Sequence, residues 1–593
     1  MNTWDLTTLF KDEEQFNKEL EDVSKNLVPQ ISTFKGKLGD EKELGNYFKL
    51  ERELTIRISK LGNYASMKSD LDKRDMKNAS ALAKVDKLYN DVNEADSFSS
   101  PELIGLGKEY FAKFFEKNPE FKDFDYIIEK MFLNQAHVLS SDKEELLSYF
   151  GPIYGKGGDL YSALSVADNK PREATLKNGE KVKVTQGNWL NLIAHSEEAE
   201  DRKTIFETLY SYYDEHKTIY GEIYNDVVQT QLANMKARGY KSILEMHLAG
   251  NKIPTDVFFT LVKVAKEKSA PLKKYIKLRE KYLPLEKYHT YERTMQFTSS
   301  SKKYSYQEAK EFFFDSIKKF PLDFQNKAHE VLKEGYVDVY EHEGKRSGAY
   351  STNSIGLHPF ILLNFQGTLD DCFTLAHESG HSIHTLYANE YQEPMKADYT
   401  IFVAEIASTF NEHNLLDYMV NRDDIDLDQK IMLLQKSIDE ICSTFYRQTV
   451  FGDYEYQIAT KGEQGEPINY EVCNNVIVDL YKQYYGMDIT EEKYKCYAWA
   501  YIPHLFYTPF YVYQYSTSFT ASMEFYKRVK EGGEKEFEKY LSLLKMGGSD
   551  FPVDEVKKAG VDLTAEETYE SVTNRMEELV DELEVLLKEK FGK

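Results

Sequence analysis

Apolar residues recur three and four positions apart through most of this chain, and that spacing predicts helices along nearly its whole length. Phe16, Leu20, Val23 and Leu27 mark one stripe near the N-terminus, and a second runs from Tyr47 to Leu61. Few glycines interrupt them, so residues 1–100 are expected to form an antiparallel helical bundle, with a first boundary at Ser97–Pro101. Further helices are predicted over Leu103–Phe115 and Tyr126–Leu147, from about Glu197, and after Ile253-Pro254-Thr255. The last runs from Thr564 to Lys593, where Glu recurs with Leu and Val at helical spacing.

Strand signals are sparse. Ala174–Thr185 alternates around Asn178-Gly179 and predicts a β-hairpin, so residues 101–200 are read as a helical segment with a hairpin. Tyr336–Tyr340 and Phe360–Phe365 predict two short strands of a small sheet. Such a strand at an edge can hold an extended peptide through its backbone; an interior strand with both edges paired is the competing reading. Gly151–Gly158 is glycine-rich, but no Lys-Ser or Lys-Thr pair closes a phosphate loop there, and a turn is expected. Leu283–Lys303 is polar and irregular and predicts a loop.

The densest chemistry lies in Thr374-Leu-Ala-His377-Glu378-Ser-Gly-His381-Ser-Ile-His384. Two histidines four residues apart share one helix face, close enough for one zinc ion, while Glu378 is rotated aside and can act as general base on a metal-activated water. The bland alternative is a helix with two surface or core histidines. Thr368 can cap that helix with Asp371 as its capping-box partner, and Leu369, Phe373, Leu375, Ala376, Ile383 and Leu386 make much of it apolar. A buried helix is expected. His384, a turn beyond His381, is read as supporting or packing, and Cys372 is about 140° off the His377 face.

A zinc site needs a third protein ligand. Glu393-Pro394 breaks the chain, Asp398 can cap a new helix, and Tyr399–Glu412 is a mostly apolar run in which Glu405 is the polar exception. Burying that carboxylate costs several kcal/mol unless a cation meets it, so Glu405 is the expected third ligand and Glu412, two turns on, the fallback.

Composition narrows the function classes. The chain has 593 residues, 41% hydrophobic and 29% charged, with a net charge of −24, which suits a large globular core and opposes nucleic-acid binding. No apolar run approaches the roughly twenty residues of a membrane span, and the first residues do not read as a secretory signal, so a cytoplasmic protein is expected. The four cysteines show no paired short spacing and are expected to be reduced. His342 and His358 lack ligand spacing.

His377–His384, followed 24 residues after His381 by Glu405 within Ala404–Glu412, resembles the oligoendopeptidase F branch of the thimet oligopeptidase family of zinc metallopeptidases. Gly348–Ser351, Leu362–Phe365, Gly367-Thr368 and Lys236–Tyr240 support the resemblance, which is clear over about residues 200–585 and looser before. It implies a mainly α, helical zincin-like fold with a small β-sheet beside the zinc helix. It also implies a prolate shell enclosing a substrate channel, and a catalytic part spanning 201–593. One Zn²⁺ per chain and short unstructured peptides as substrates follow from it. In that family a histidine and tyrosines near Tyr501–Tyr515 stabilise the oxyanion of peptide hydrolysis, which here favours His504 and Tyr511, with Tyr507 and Tyr513 as substitutes. Tyr291-Glu292 stands where the family often has an aspartate and carries no role.

The expected mechanism binds zinc through His377, His381 and Glu405, with Glu378 shuttling the proton. A carboxypeptidase or dipeptidyl carboxypeptidase of similar fold is the first rival and would need a cation such as Arg346 for the substrate carboxylate. A non-catalytic peptide-binding scaffold is the second. The oligomeric state is left open.

Overall fold

Helices dominate the computed structural model, as the spacing predicts. It describes residues 2–151, 153–299 and 301–592; Pro152 in the expected turn, Ser300 in the expected loop, and the terminal Met1 and Lys593 lie outside the described residues. Two compact units emerge, one of Met1–Ala136, Lys302–Met419 and Phe525–Val561, the other of His137–Ser301, Val420–Glu524 and Asp562–Lys593. No helix among the described residues is long and apolar enough to cross a membrane.

The second unit contains the hairpin: β1 (Arg172–Thr175) pairs antiparallel with β2 (Lys181–Val184). The Leu176 amide donates to the Glu180 carbonyl at 2.8 Å, so the loop is Lys177–Gly179, with Gly179 at φ +87°, where a side chain would be strained. Residues 153–155 turn into the helix Lys156–Ser162, with Gly155 at φ +85°. The helix Ala199–Glu215 buries Tyr210, Tyr212 and Tyr213, and Tyr210 stacks on Tyr501 at 5.8 Å. The described residues of 283–303 are irregular apart from a short turn of helix, Thr290–Glu292, and Glu292 neutralises the buried Arg202 at 2.9 Å. The helix Glu566–Phe591 closes this core with Val572, Met576, Leu579 and Leu583.

In the first unit, Asp40 caps the 31-residue helix Glu41–Leu71 by accepting the Lys42 and Glu43 amides, both at 3.0 Å. Its buried stripe includes Tyr47, Phe48, Leu54, Ile58 and Leu61, the pattern seen in the sequence. The run expected as one helix from Leu103 to Phe115 breaks at Gly107, φ +82°, into Ser99–Leu106 and Lys108–Lys117. The Tyr126–Leu147 run is likewise two helices, Asp125–Gln135 and Ser141–Ser148.

The small sheet has three strands in the order β3 (Val337–Asp338), β5 (Phe360–Leu362), β4 (Tyr350–Thr352). Phe360–Leu362 is therefore the interior strand, fully buried, paired parallel to β3 and antiparallel to β4. The edge strand that packs on the helix carrying the histidines is β4, which the sequence pattern did not reveal because it is only three residues long and has no alternation. Ser351 Oγ lies 2.8 Å from Ser382 Oγ on that helix.

The second site helix begins at Ile401, so Asp398 does not cap it. Residues 396–398 instead run against Gly547-Gly548: the Gly548 amide donates to the Lys396 carbonyl at 2.8 Å, and a Cβ on Gly548 would sit 1.9 Å from the Asp398 carbonyl oxygen. That backbone contact fixes the segment ahead of the helix, which starts only at Ile401.

Candidate metal centre

The motif helix, Leu369–Tyr391, starts at Thr368 with the expected capping box: Thr368 Oγ1 accepts the Asp371 amide at 3.2 Å and the Asp371 carboxylate accepts the Thr368 amide at 2.7 Å. The carboxylate helix, Ile401–Val420, is buried along most of its length. The two helices meet at Gly380. A Cβ there would lie 2.4 Å from the Ala407 carbonyl oxygen and 2.6 Å from the Ser408 Cα, so only glycine lets the backbones touch. Asn411 Nδ2 donates to the Ala376 carbonyl at 3.2 Å and pins the same crossing.

This crossing brings three donors together. His377 Nε2 and His381 Nε2 are 3.2 Å apart, and Glu405 Oε2 is 3.3 Å from the first and 3.5 Å from the second. Donors bound tetrahedrally at 2.0–2.1 Å are separated by about 3.3 Å, so this triangle fits a zinc-sized ion without rearrangement. The electrostatics agree. Burial would push His377 down, but Glu405 and Glu412 reverse this and hold it well above the usual imidazole range. Glu405 is drawn down to about 2 against the opposing effect of burial, by His377 and His381. The pocket is built to contain positive charge.

Glu412, the fallback ligand, takes another place. Its Oε1 lies 2.6 Å from His377 Nδ1, the ring nitrogen facing away from the triangle. A carboxylate there fixes the ring and leaves Nε2 bare as a donor. The Ala404 carbonyl hydrogen-bonds the His381 ring, and Tyr399 Oη donates to the His381 carbonyl at 3.2 Å. His384 is fully buried, with its ring stacked on Tyr399 at 3.7 Å. It packs behind the donors and is not among them.

Glu378 is 5% exposed, and one of its oxygens is buried with no hydrogen-bond partner among the described residues. Burial first, then Glu405 and Glu412, push its pKa up to about 7, against the opposing effects of His377 and the Ser351 amide of β4. A carboxyl with a free oxygen and a pKa in this range suits a proton shuttle at neutrality.

The remaining predicted residues belong to the second unit. His504 begins the short helix His504–Tyr507 and stacks parallel to Tyr511 at 5.9 Å; Tyr515 completes the cluster, 5.4 Å from Tyr511. Burial and then Arg447 hold His504 below the usual imidazole range, so it is neutral near pH 7 and able to donate one hydrogen bond. Tyr507 is 48% exposed and turns its ring to Tyr161 at 5.5 Å, outside that cluster. Tyr513 is buried against Phe258. Sequence reasoning did not single out Gly380, Ser351, Tyr399 or Tyr515 by residue as parts of these clusters; the small residue inside the motif was a clue to a close helix crossing.

Gly380→Ala is expected to lower stability by about 1–3 kcal/mol and to weaken metal binding, because relieving the clash moves Glu405 away from the histidines. Thermal midpoints and zinc titration check both effects. Unchanged values would mean that the crossing adapts without disturbing the donors.

Residues 192–574 match the profile of Peptidase family M3, and residues 102–170 match that of Oligopeptidase F. The chain is 34% identical to oligopeptidase PepF of Bacillus subtilis over 99% of its own length and 87% of that protein. It is also 34% identical to the chromosomal oligoendopeptidase F of Lactococcus lactis subsp. cremoris, over 99% and 97% of the two chains. Among solved structures, oligoendopeptidase F from Enterococcus faecium superposes with a TM-score of 0.74 at 28% identity, covering 97% of this chain and 99% of that one.

Proposed function

This chain belongs to peptidase family M3, in its oligopeptidase F branch, and from that premise we propose that it is a zinc endopeptidase hydrolysing internal bonds of short, unstructured peptides. The observation that carries the reading is the donor triangle of His377, His381 and Glu405 with the unpartnered Glu378 oxygen on the same helix. One zinc ion per chain, held by those three residues, would supply Lewis acidity, lowering the pKa of a water toward about 7 and polarising the scissile carbonyl.

The chain's own residues do the rest. Glu378 accepts the proton of the attacking water and passes it to the leaving amine, a role in keeping with its raised pKa. Glu412 keeps the His377 ring in its donor orientation. His504 and Tyr511 are assigned as donors to the developing oxyanion, with Tyr507 held as a substitute. The β4 edge, whose Ser351 faces both Ser382 and Glu378, offers backbone groups to an extended peptide. All four cysteines are free, which fits a cytoplasmic protein.

The carboxypeptidase alternative needs a free cation, and Arg346 is engaged: it lies 3.3 Å from Asp70 Oδ2 and over the Tyr350 ring. Mass spectrometry of a mixed pool of peptides of about ten residues separates the readings. Internal cuts are expected, lost with a chelator and restored by zinc. Folded proteins should survive, since opening a domain costs about 5–15 kcal/mol before any bond is reached. Release of C-terminal residues or dipeptides alone would instead establish the carboxypeptidase, and intact peptides under all conditions the non-catalytic scaffold.

A further inference from the structure

The helix Glu41–Leu71 buries a mostly apolar face, yet Ser59, Asn63 and Asp70 form a polar stripe along one side of it. All three meet β4 or the chain next to it, within the first unit. Ser59 Oγ accepts the Ile355 amide at 3.3 Å. Asn63, 9% exposed, accepts from Thr352 Oγ1 at 2.8 Å and donates to Ser354 Oγ at 3.3 Å. Asp70, 1% exposed, accepts from the Tyr350 hydroxyl at 2.7 Å, and its carbonyl accepts the Arg346 amide at 2.9 Å. Just past the helix end, the Lys73 amide donates to the Gly344 carbonyl at 2.8 Å.

These contacts alternate along the strand. Tyr350, Thr352 and Ser354 turn to the N-terminal helix, whereas Ser351 turns to the motif helix, with its Oγ 2.8 Å from Ser382 Oγ and its amide on Glu378. β4 pairs with β5 over only three positions, Tyr350 to Thr352, so the ladder alone specifies its register weakly. A slip of one residue would part Asn63 and Asp70 from these partners. It would also turn Ser351 away from the motif helix and withdraw its amide from Glu378. Buried polar groups cost free energy unless they are matched, and that cost holds the strand in the observed register.

We propose that Asn63 and Asp70 are positioning residues: through Thr352 and Tyr350 they set the register of β4. That register places the Ser351 amide on Glu378 and presents the strand edge with which an extended peptide pairs. The N-terminal helix thereby takes part in substrate handling, and it does so wholly through β4. That a peptide occupies this edge rests on the peptidase reading; the register itself does not.

Thr352→Val and Thr352→Ser separate register from mere stability. Valine is close to isosteric and a good strand former but lacks the hydroxyl that Asn63 accepts from; serine keeps the hydroxyl and loses only a methyl. For a peptide of about ten residues, Thr352→Val is expected to lower kcat/KM about ten- to hundredfold, the cost of a reacting group misplaced by about 1 Å, while Thr352→Ser stays within about threefold of the parent. Zinc content should be unchanged in both. Tyr350→Phe, which removes the hydroxyl facing Asp70, should repeat the loss. Hydrogen exchange over residues 350–352, read by mass spectrometry on chelator-treated protein, should quicken in Thr352→Val and not in Thr352→Ser. Replacing the peptide's backbone amides one at a time by esters should weaken its binding to the parent about tenfold at the paired positions, and its binding to Thr352→Val much less. Absence of hydrolysis by the parent would overturn the peptidase reading and leave the exchange comparison standing. Equal kcat/KM in Thr352→Val and Thr352→Ser overturns the proposal, as does equal exchange in the two. An ester series that costs the parent nothing overturns the pairing of peptide with this edge.

Discussion

Glu378→Gln is expected to retain its metal and to lose about 10²- to 10⁴-fold in kcat, the contribution of a positioned general base. Glutamine keeps the volume and one hydrogen-bonding oxygen of the buried side chain, so the helix and the Ser351 contact should persist. What disappears is the ability to accept and return a proton. The donor triangle does not include Glu378, and metal content measured by elemental analysis should therefore match the parent. Kinetics and metal content must separate. Turnover within a few-fold of the parent would remove Glu378 from the proton transfer, and loss of the metal would place it among the ligands.

The second large effect distinguishes the two carboxylates of one helix. Glu405→Ala removes a donor 3.3 Å and 3.5 Å from the two histidine nitrogens, whereas Glu412→Ala removes the group that orients His377 through its far nitrogen at 2.6 Å. Loss of an orienting partner costs about 10- to 100-fold in metal affinity, and loss of the donor itself should cost more. Competitive zinc titration of both variants gives the ranking directly. Glu412→Ala should also leave His377 free to rotate, so that bound metal supports lower turnover than in the parent. A larger affinity loss in Glu412→Ala than in Glu405→Ala would exchange the two roles.

Much of this was readable before any fold was known, because it depends on geometry within a few residues. The capping box at Thr368 and Asp371, the shared face of His377 and His381, and the hairpin around Gly179 follow from helix and turn dimensions alone. The isolation of Glu405 in an apolar run was an energetic statement about one segment, and the structure brings that carboxylate to the histidines. Local signals failed where a residue's role depended on a distant partner. Asp398 looked like a cap, yet the backbone there is held by Gly547-Gly548, about 150 residues later in the chain. The strand at 360–362 looked equally able to be edge or interior, and only the pairing of β3 and β4 on its two sides decided it.

The helices, the chemistry of the donors and their spacing along each helix are legible in the linear pattern, since they obey a repeat of 3.6 residues. Which carboxylate meets Nε2 and which meets Nδ1 depends on long-range packing. Glu405 and Glu412 lie two turns apart on one face, and their division of labour depends on where the carboxylate helix crosses the motif helix. That crossing is set by Gly380, where the absence of a Cβ lets the Ala407 and Ser408 backbone approach.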